Sequence, residues 1–135
     1  MPVRFQVVID CADADRLARF WAAALHYELA PPPAGFDTWN DFYRALGLPE
    51  EELVDGADRI SDPAGQGPVI WFHVVPESKV VKNRLHFDIR VGAERQEAEV
   101  ERLVGLGATE LWRGSQGPHS WVTMADPEGN EFCVA

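Results

Sequence analysis

The chain alternates short runs of period-two hydrophobicity with longer stretches of helical period, and it does so twice. Phe5-Gln6-Val7-Val8-Ile9-Asp10 and Leu85-His86-Phe87-Asp88-Ile89-Arg90 both place apolar residues at alternate positions, the pattern of a strand with one buried face. Each run leads straight into a helical pattern. Gln6 stands as far before Asp10 as His86 stands before Arg90, so each strand turns a polar stripe to one side. Two such stripes from related halves point to a shared pocket.

Residues 3–10 are therefore predicted as a strand. Asp13 is placed to cap a helix running to about His26, with Leu17, Phe20, Trp21 and Ala24 spaced along one face. The break at Pro31-Pro32-Pro33 precedes a short inserted helix over 37–46 that stops at Gly47, and 48–53 begins another turn. That helix carries Trp39, Phe42 and Tyr43, as a lid or as an anchor to the core. A short strand over 58–61, a Gly/Pro-rich loop over 61–68 and a strand over 69–75 complete the first half. In the second half a strand runs to Val91 and a helix from about Ala93 to Leu106, with Gln96, Val100, Leu103 and Val104 as its inner seam and Gly107 as its stop. Strands are predicted over 109–113, 121–125 and 130–135, the last two joined by Asp126-Pro127-Glu128-Gly129, where Pro presets the turn and Gly completes it. His119 falls in the loop 114–119, at a pocket mouth. Each half thus reads strand, helix, then two or three antiparallel strands.

A length of 135 residues suits one compact domain, or two small modules around one core. The formal net charge of -10 argues against nucleic acid and against acidic membrane surfaces, because both need clustered Lys and Arg. No run approaches the roughly 20 apolar residues that span a bilayer, and the first residues lack the apolar stretch of a secretory signal. A cytoplasmic location is the expectation. The two cysteines, Cys11 and Cys133, make no disulfide framework and fit a reducing compartment. The one cationic cluster, Lys79 to Arg84, is either a solvated link between the halves or a means of attracting an anionic group, with Arg84 suited to a bidentate contact. No nucleophilic triad, phosphate-binding glycine loop or dinucleotide fingerprint is present.

Three stretches carry a resemblance to a known family. They are Gln6 through Asp13 followed by Phe20-Trp21 and Leu25, then Leu85 through Val91, then Asp126-Pro127-Glu128-Gly129-Asn130-Glu131-Phe132. In order and spacing the chain resembles the vicinal oxygen chelate superfamily, in particular its glyoxalase-like and bleomycin-resistance-like branch. That resemblance implies an α+β fold of two fused βαβββ modules, about 1–78 and about 84–135 within a single domain. Their mostly antiparallel sheets curve around a cavity, with helices outside and a homodimer as the usual assembly.

Metal-dependent members draw four ligands from the first and last strands of each module. By resemblance Gln6 and His86 occupy first-strand positions. The usual glutamate lies four residues after the turn glycine, where this chain has Cys133, while Glu131 is two after. On the first module's last strand, Ile70, Phe72 and Val74 read as a helix-packing face. That leaves Trp71 toward the cavity and His73 as the fourth candidate, in a register open by two residues. A set of Gln6, His73, His86 and Cys133 mixes amide oxygen with thiolate and suits Zn better than Mg or Ca. Either one divalent metal is bound or none is. His86 hydrogen-bonded to Asp88 in a polar cavity, and Cys133 as a small buried hydrophobe, are the readings without a metal.

Asp10, Trp71, His73, Asp88, Arg90, Trp121 and Thr123 are the expected pocket residues, a few convergent polar groups among aromatic walls. Two functions are compatible with them, beside a structural or regulatory domain whose cavity is vestigial. One is a binding protein of the bleomycin-resistance type, whose aromatic walls hold an amphiphilic or cationic compound attracted by the acidic surface. The other is a lyase or isomerase whose metal polarises a substrate carbonyl while Glu131 or Asp88 moves a proton. The departure at Cys133 tilts the reading toward the first.

Overall fold

The computed structural model describes residues 1–135. In it β1 (Val7–Cys11) passes through Asp13 into α1 (Ala14–Leu25). The Asp13 carboxylate accepts the Arg16 N–H at 3.1 Å, satisfying one of the free donors of the first turn. The chain leaves the helix at His26, which takes a left-handed φ of 56°. Leu17, Phe20, Trp21 and Ala24 are buried, as their spacing predicts.

β2 (Glu28–Leu29), β3 (Arg59–Ser61) and β4 (Ile70–Val74) complete a first sheet in the order β1-β4-β3-β2. Its β1–β4 pair is parallel and the other two are antiparallel. Between β2 and β3 the chain inserts α2 (Trp39–Ala45), capped by Thr38, and a single 3-10 turn (Glu50–Glu52). The second half repeats the plan with β5 (Asp88–Ile89), a 3-10 turn (Ala93–Arg95), α3 (Gln96–Leu106), β6 (Thr109–Gln116), β7 (His119–Ala125) and β8 (Glu131–Val134). Its order is β5-β8-β7-β6, again with the first strand parallel to the last. The fold is α+β, two mixed sheets of matching topology.

Several elements differ from the sequence pattern. β1 starts at Val7, because Val3 and Phe5 find no partner on the open edge and stay exposed. β2 is too short to leave a periodic signal. β5 holds only Asp88 and Ile89; a left-handed Gly92 then turns the chain into the 3-10 start of α3. Val104 is exposed rather than on the seam of α3, and Val74 is exposed at the end of β4. Buried Gln96 instead donates its amide N–H to the Ser120 and Val134 carbonyls, both at 3.1 Å. The stretch 114–119 is not a loop. Gly117, at φ 58°, makes a two-residue hairpin, so His119 pairs with Gln116 and opens β7.

One hydrophobic cluster spans both halves, and α1 is its pivot. Trp21 packs edge-on against Phe20, Phe87 and Phe132, and its indole N–H donates to the buried Asp126 carboxylate at 3.0 Å. Glu128 accepts the Ala12 and Asp13 N–H groups at 2.7 and 2.9 Å, placing negative charge at the positive end of the helix. Arg102 on α3 donates to the Ala23 and Ala24 carbonyls at 3.0 and 2.8 Å, at the negative end. The second half therefore grips α1 of the first at both ends and in the middle. The Asp-Pro-Glu-Gly turn acts as a clasp as well as a turn.

Candidate functional site

Pairing brings one row of side chains across the second sheet. Asp88 on β5 stands beside Cys133 on β8, Cys133 beside Thr123 on β7, and Thr123 beside Trp112 on β6. A β-bulge between Glu110 and Trp112 produces the last contact. In regular pairing Trp112 would oppose Val122, which is buried in the core. The extra residue moves it one place, onto the row of Thr123, and bulges commonly re-aim a side chain in this way near a site. Trp121 lies next to this row with its ring directly on Gly114, where a Cβ would come within 2.5 Å of the indole.

These residues line an open cleft of about 690 Å³ together with Lys82, His86, Arg90 and His119. At its floor one donor atom each from His86, Asp88 and Cys133 lie within 4.8 Å of one another. His86 Nε2 is 3.5 Å from Asp88 Oδ1, and the Cys133 sulfur is 3.4 Å from the Thr123 hydroxyl. Tetrahedral Zn with N, O and S ligands separates its donors by about 3.3–3.8 Å. The trio fits a zinc-class ion with small side-chain adjustments, two of its members being exposed and free to move.

Glu131 also borders the cleft, but its oxygens are taken. Lys79 donates to one at 3.0 Å and the Asn83 N–H to the other at 3.0 Å. Burial pushes this carboxyl up, yet the Asn83 N–H and the Lys79 ammonium outweigh it and hold it below the usual carboxylate range. Glu131 ties the link between the halves to β8.

The remaining candidates lie elsewhere. Gln6 is exposed ahead of β1 and borders neither the cleft nor the groove beside it. That groove, of about 620 Å³, runs between the two halves and is lined by Val8, Asp10, Leu85 and His86 among others. His73 sits on β4 with its Nδ1 3.7 Å from Asp10 Oδ1, apart from the His86 trio. Trp71 belongs to the first sheet, where it flanks Arg59. The Arg59 guanidinium lies 4.1 Å from the Trp39 ring and donates to the Tyr43 hydroxyl at 2.5 Å. α2 is thus anchored on the first sheet. Of the expected pocket residues, Asp88, Arg90, Trp121 and Thr123 share the cleft, whereas Asp10, Trp71 and His73 do not border it.

Sequence reasoning did not assign Lys82 and Trp112 to the pocket, and it put His119 at a pocket mouth but in a loop rather than at the head of a strand. The bulge that turns Trp112 inward has no sequence signal, and the Gly117-Pro118 pair was the available sign that His119 starts a strand.

A first strand running parallel to the last, twice over, is the duplicated plan that the resemblance to the vicinal oxygen chelate superfamily implies. Residues 6–135 match the family model described as a glyoxalase-like domain, and the chain belongs to that family. No curated protein matches the sequence. Among solved structures, the fosfomycin resistance protein FosX from Mesorhizobium loti is 9% identical, with a TM-score of 0.63 over 99% of this chain and 90% of that one. A glyoxalase/bleomycin resistance protein/dioxygenase family enzyme from Burkholderia phytofirmans PsJN is 15% identical, with a TM-score of 0.61 over 96% and 94%. A point mutant of FosX from Listeria monocytogenes, complexed with Mn(II) and 1S,2S-dihydroxypropylphosphonic acid, is 11% identical, with a TM-score of 0.63 over 96% and 85%. At these identities the likeness is one of fold. No helix of the chain is long and apolar enough to cross a membrane.

Proposed function

We propose that this protein binds a small organic molecule in the cleft of its second sheet. The observation that carries the reading is the row Asp88, Cys133, Thr123 and Trp112, with Trp121 beside it. It combines a polar floor with aromatic walls in a volume suited to a small ligand. A second copy of the chain is expected to cover the groove between the halves, beside the site. β1 and β5 are open sheet edges, and Phe5, Val8 and Leu85 are exposed along them, a surface that proteins seldom leave bare. Sedimentation should give a dimer mass; a monomer at micromolar concentration refutes this assembly. The ligand reading is tested by a thermal-shift screen of small organic compounds on the wild type and Trp121→Ala. Stabilisation that is lost in Trp121→Ala supports it, since ligand binding raises stability by mass action. A screen whose hits all stabilise Trp121→Ala equally overturns it.

The convergence of His86, Asp88 and Cys133 favours a second reading, a metal-dependent lyase or isomerase. These three residues would hold the ion, with Zn the best match to an imidazole, carboxylate and thiolate set. Bound there, such an ion would supply a Lewis acid for a substrate carbonyl. Thr123 would orient the Cys133 sulfur, and the aromatic walls would exclude water. Glu131 is poorly disposed to move a proton, since both its oxygens are occupied. Metal analysis of protein purified without a histidine tag decides this reading. About one equivalent of Zn, lost in His86→Ala, supports it; trace metal unchanged in that variant refutes it.

A further inference from the structure

The cleft of the second sheet holds two cations that an acidic chain leaves unpaired. Ion pairs form on Arg19, Arg44, Arg59, Lys79, Arg102 and Arg113, and none forms on Arg90 or Lys82, both of which line the cleft. Lys82 donates only to the carbonyl of its neighbour Asn83. Arg90 follows β5 on the same alternating face as His86 and Asp88, and it lines the cleft with the small residues Gly92 and Ala93. The cleft has two carboxylates of its own. Glu131 is held by Lys79 and Asn83, and Asp88 stands against His86.

We propose that the ligand of this cleft is an aromatic carboxylate, its carboxylate paired with Arg90 and its ring held against Trp112 and Trp121, while Lys82 adds positive charge at the Glu131 end of the cleft. The inference rests on reading the cleft as the ligand site. A guanidinium fork matches a carboxylate with two parallel hydrogen bonds, and the indole walls suit a planar body. The net charge of -10 does not decide the matter, because surface charge is screened beyond about 8 Å at physiological salt. Within that range the local groups act, and Arg90 is a cation that no carboxylate pairs. The cationic ligand suggested by overall charge is therefore replaced by an anionic one.

The test uses three probes that differ in charge but share a ring: naphthylacetate, naphthylacetamide and naphthylethylamine. Each is titrated into the full chain, wild type and Arg90→Gln, and followed by amide and indole N–H shifts in NMR. One charge-assisted contact is worth about 1.5–3 kcal/mol, so the acid should bind about ten- to a hundredfold more tightly than the amide. Arg90→Gln should reduce that preference to about twofold or less, and added salt should weaken the acid alone. Spectra of the variant that match the wild type away from the cleft show that it is folded. If the amide or the amine binds as tightly as the acid, or Arg90→Gln keeps the preference, the carboxylate assignment is overturned. The cleft reading then stands as long as shifts map to the Trp112 and Trp121 indoles. If no probe moves those indoles at millimolar concentration, both fall.

Discussion

Asp126 offers the most direct test of how the two halves are joined. Its side chain is almost fully buried, at 3% exposure, and accepts five hydrogen bonds. Oδ1 takes the Glu128 and Asn130 N–H groups at 2.9 and 3.0 Å and the Asn130 amide at 3.1 Å; Oδ2 takes the Trp21 indole at 3.0 Å and the same amide at 2.9 Å. Asp126→Asn can keep the first oxygen, but its new NH₂ then faces two donors. The Trp21 N–H is left buried without an acceptor, at a cost of about 1–3 kcal/mol. Trp21→Phe removes only the donor and part of the ring, losing a charge-assisted bond worth about 1.5–3 kcal/mol. Against a total stability of about 5–15 kcal/mol for a domain, each is a large change.

Both losses describe one contact, so they should not add. In a double-mutant cycle read by urea unfolding with far-UV circular dichroism, the coupling between Trp21→Phe and Asp126→Asn should be about 1.5–3 kcal/mol. A coupling within about 0.3–0.5 kcal/mol of zero, the scatter seen for independent sites, would refute the clasp. In that case Asp126 would serve only its own turn. Circular dichroism is preferred to fluorescence because Trp21 is itself a reporter.

Burial, reinforced by Glu128, Asp10 and other nearby carboxylates, pushes the Cys11 thiol up to about 11. Because the thiolate is the reactive form, iodoacetamide at pH 8 should label Cys133 and leave Cys11 untouched until the chain unfolds; equal labelling of both refutes its burial. The raised value also means that the unfolded thiol ionises first, so this contribution to stability is full below pH 9 and declines toward pH 11. Cys11→Ala should flatten that part of the urea-midpoint profile, and an unchanged slope would count against it. At the left-handed end of α1, His26→Gly should raise the melting temperature by a few degrees, since a Cβ there costs about 1 kcal/mol; a fall would show that the His26 side chain outweighs its backbone cost. Gly114→Ala should displace the Trp121 ring and weaken ligand binding at least about tenfold while shifting stability by no more than about 1–3 kcal/mol, and unchanged affinity would remove Trp121 from the site.

α1 was legible because everything that makes it is local. Asp13, the spacing of Leu17, Phe20, Trp21 and Ala24, and the stop at His26 all lie within one stretch of chain. The Asp-Pro-Glu-Gly turn was legible for the same reason, but its clasp was not, since Trp21 and Asp126 are 105 positions apart. The candidate site fared likewise. His86, Asp88 and Cys133 were each singled out, yet Asp88 becomes the neighbour of Cys133 only through the parallel β5–β8 register. Counting from the turn glycine marked Cys133 as a missing carboxylate. The register puts a carboxylate beside it from another strand.

The duplication also explains why the two sheets carry different pockets, about 690 Å³ on the second and about 390 Å³, lined by Trp39, Arg59, Trp71 and His73, on the first. In the first sheet the row that corresponds to Asp88, Cys133 and Thr123 is Val8, Trp71 and Arg59. There the insertion between β2 and β3 is already in place, with Trp39 and Tyr43 of α2 on Arg59. The second half has no such insertion between α3 and β7, only the β6 strand and its bulge. Two copies of one face have therefore diverged by what covers them. An aromatic helix narrows the first, and the second keeps its polar floor open. Gln6 and His86 are equivalent in topology but not in chemistry. Gln6 precedes the strand of a face narrowed by α2, while His86 stands at the floor of the more open one.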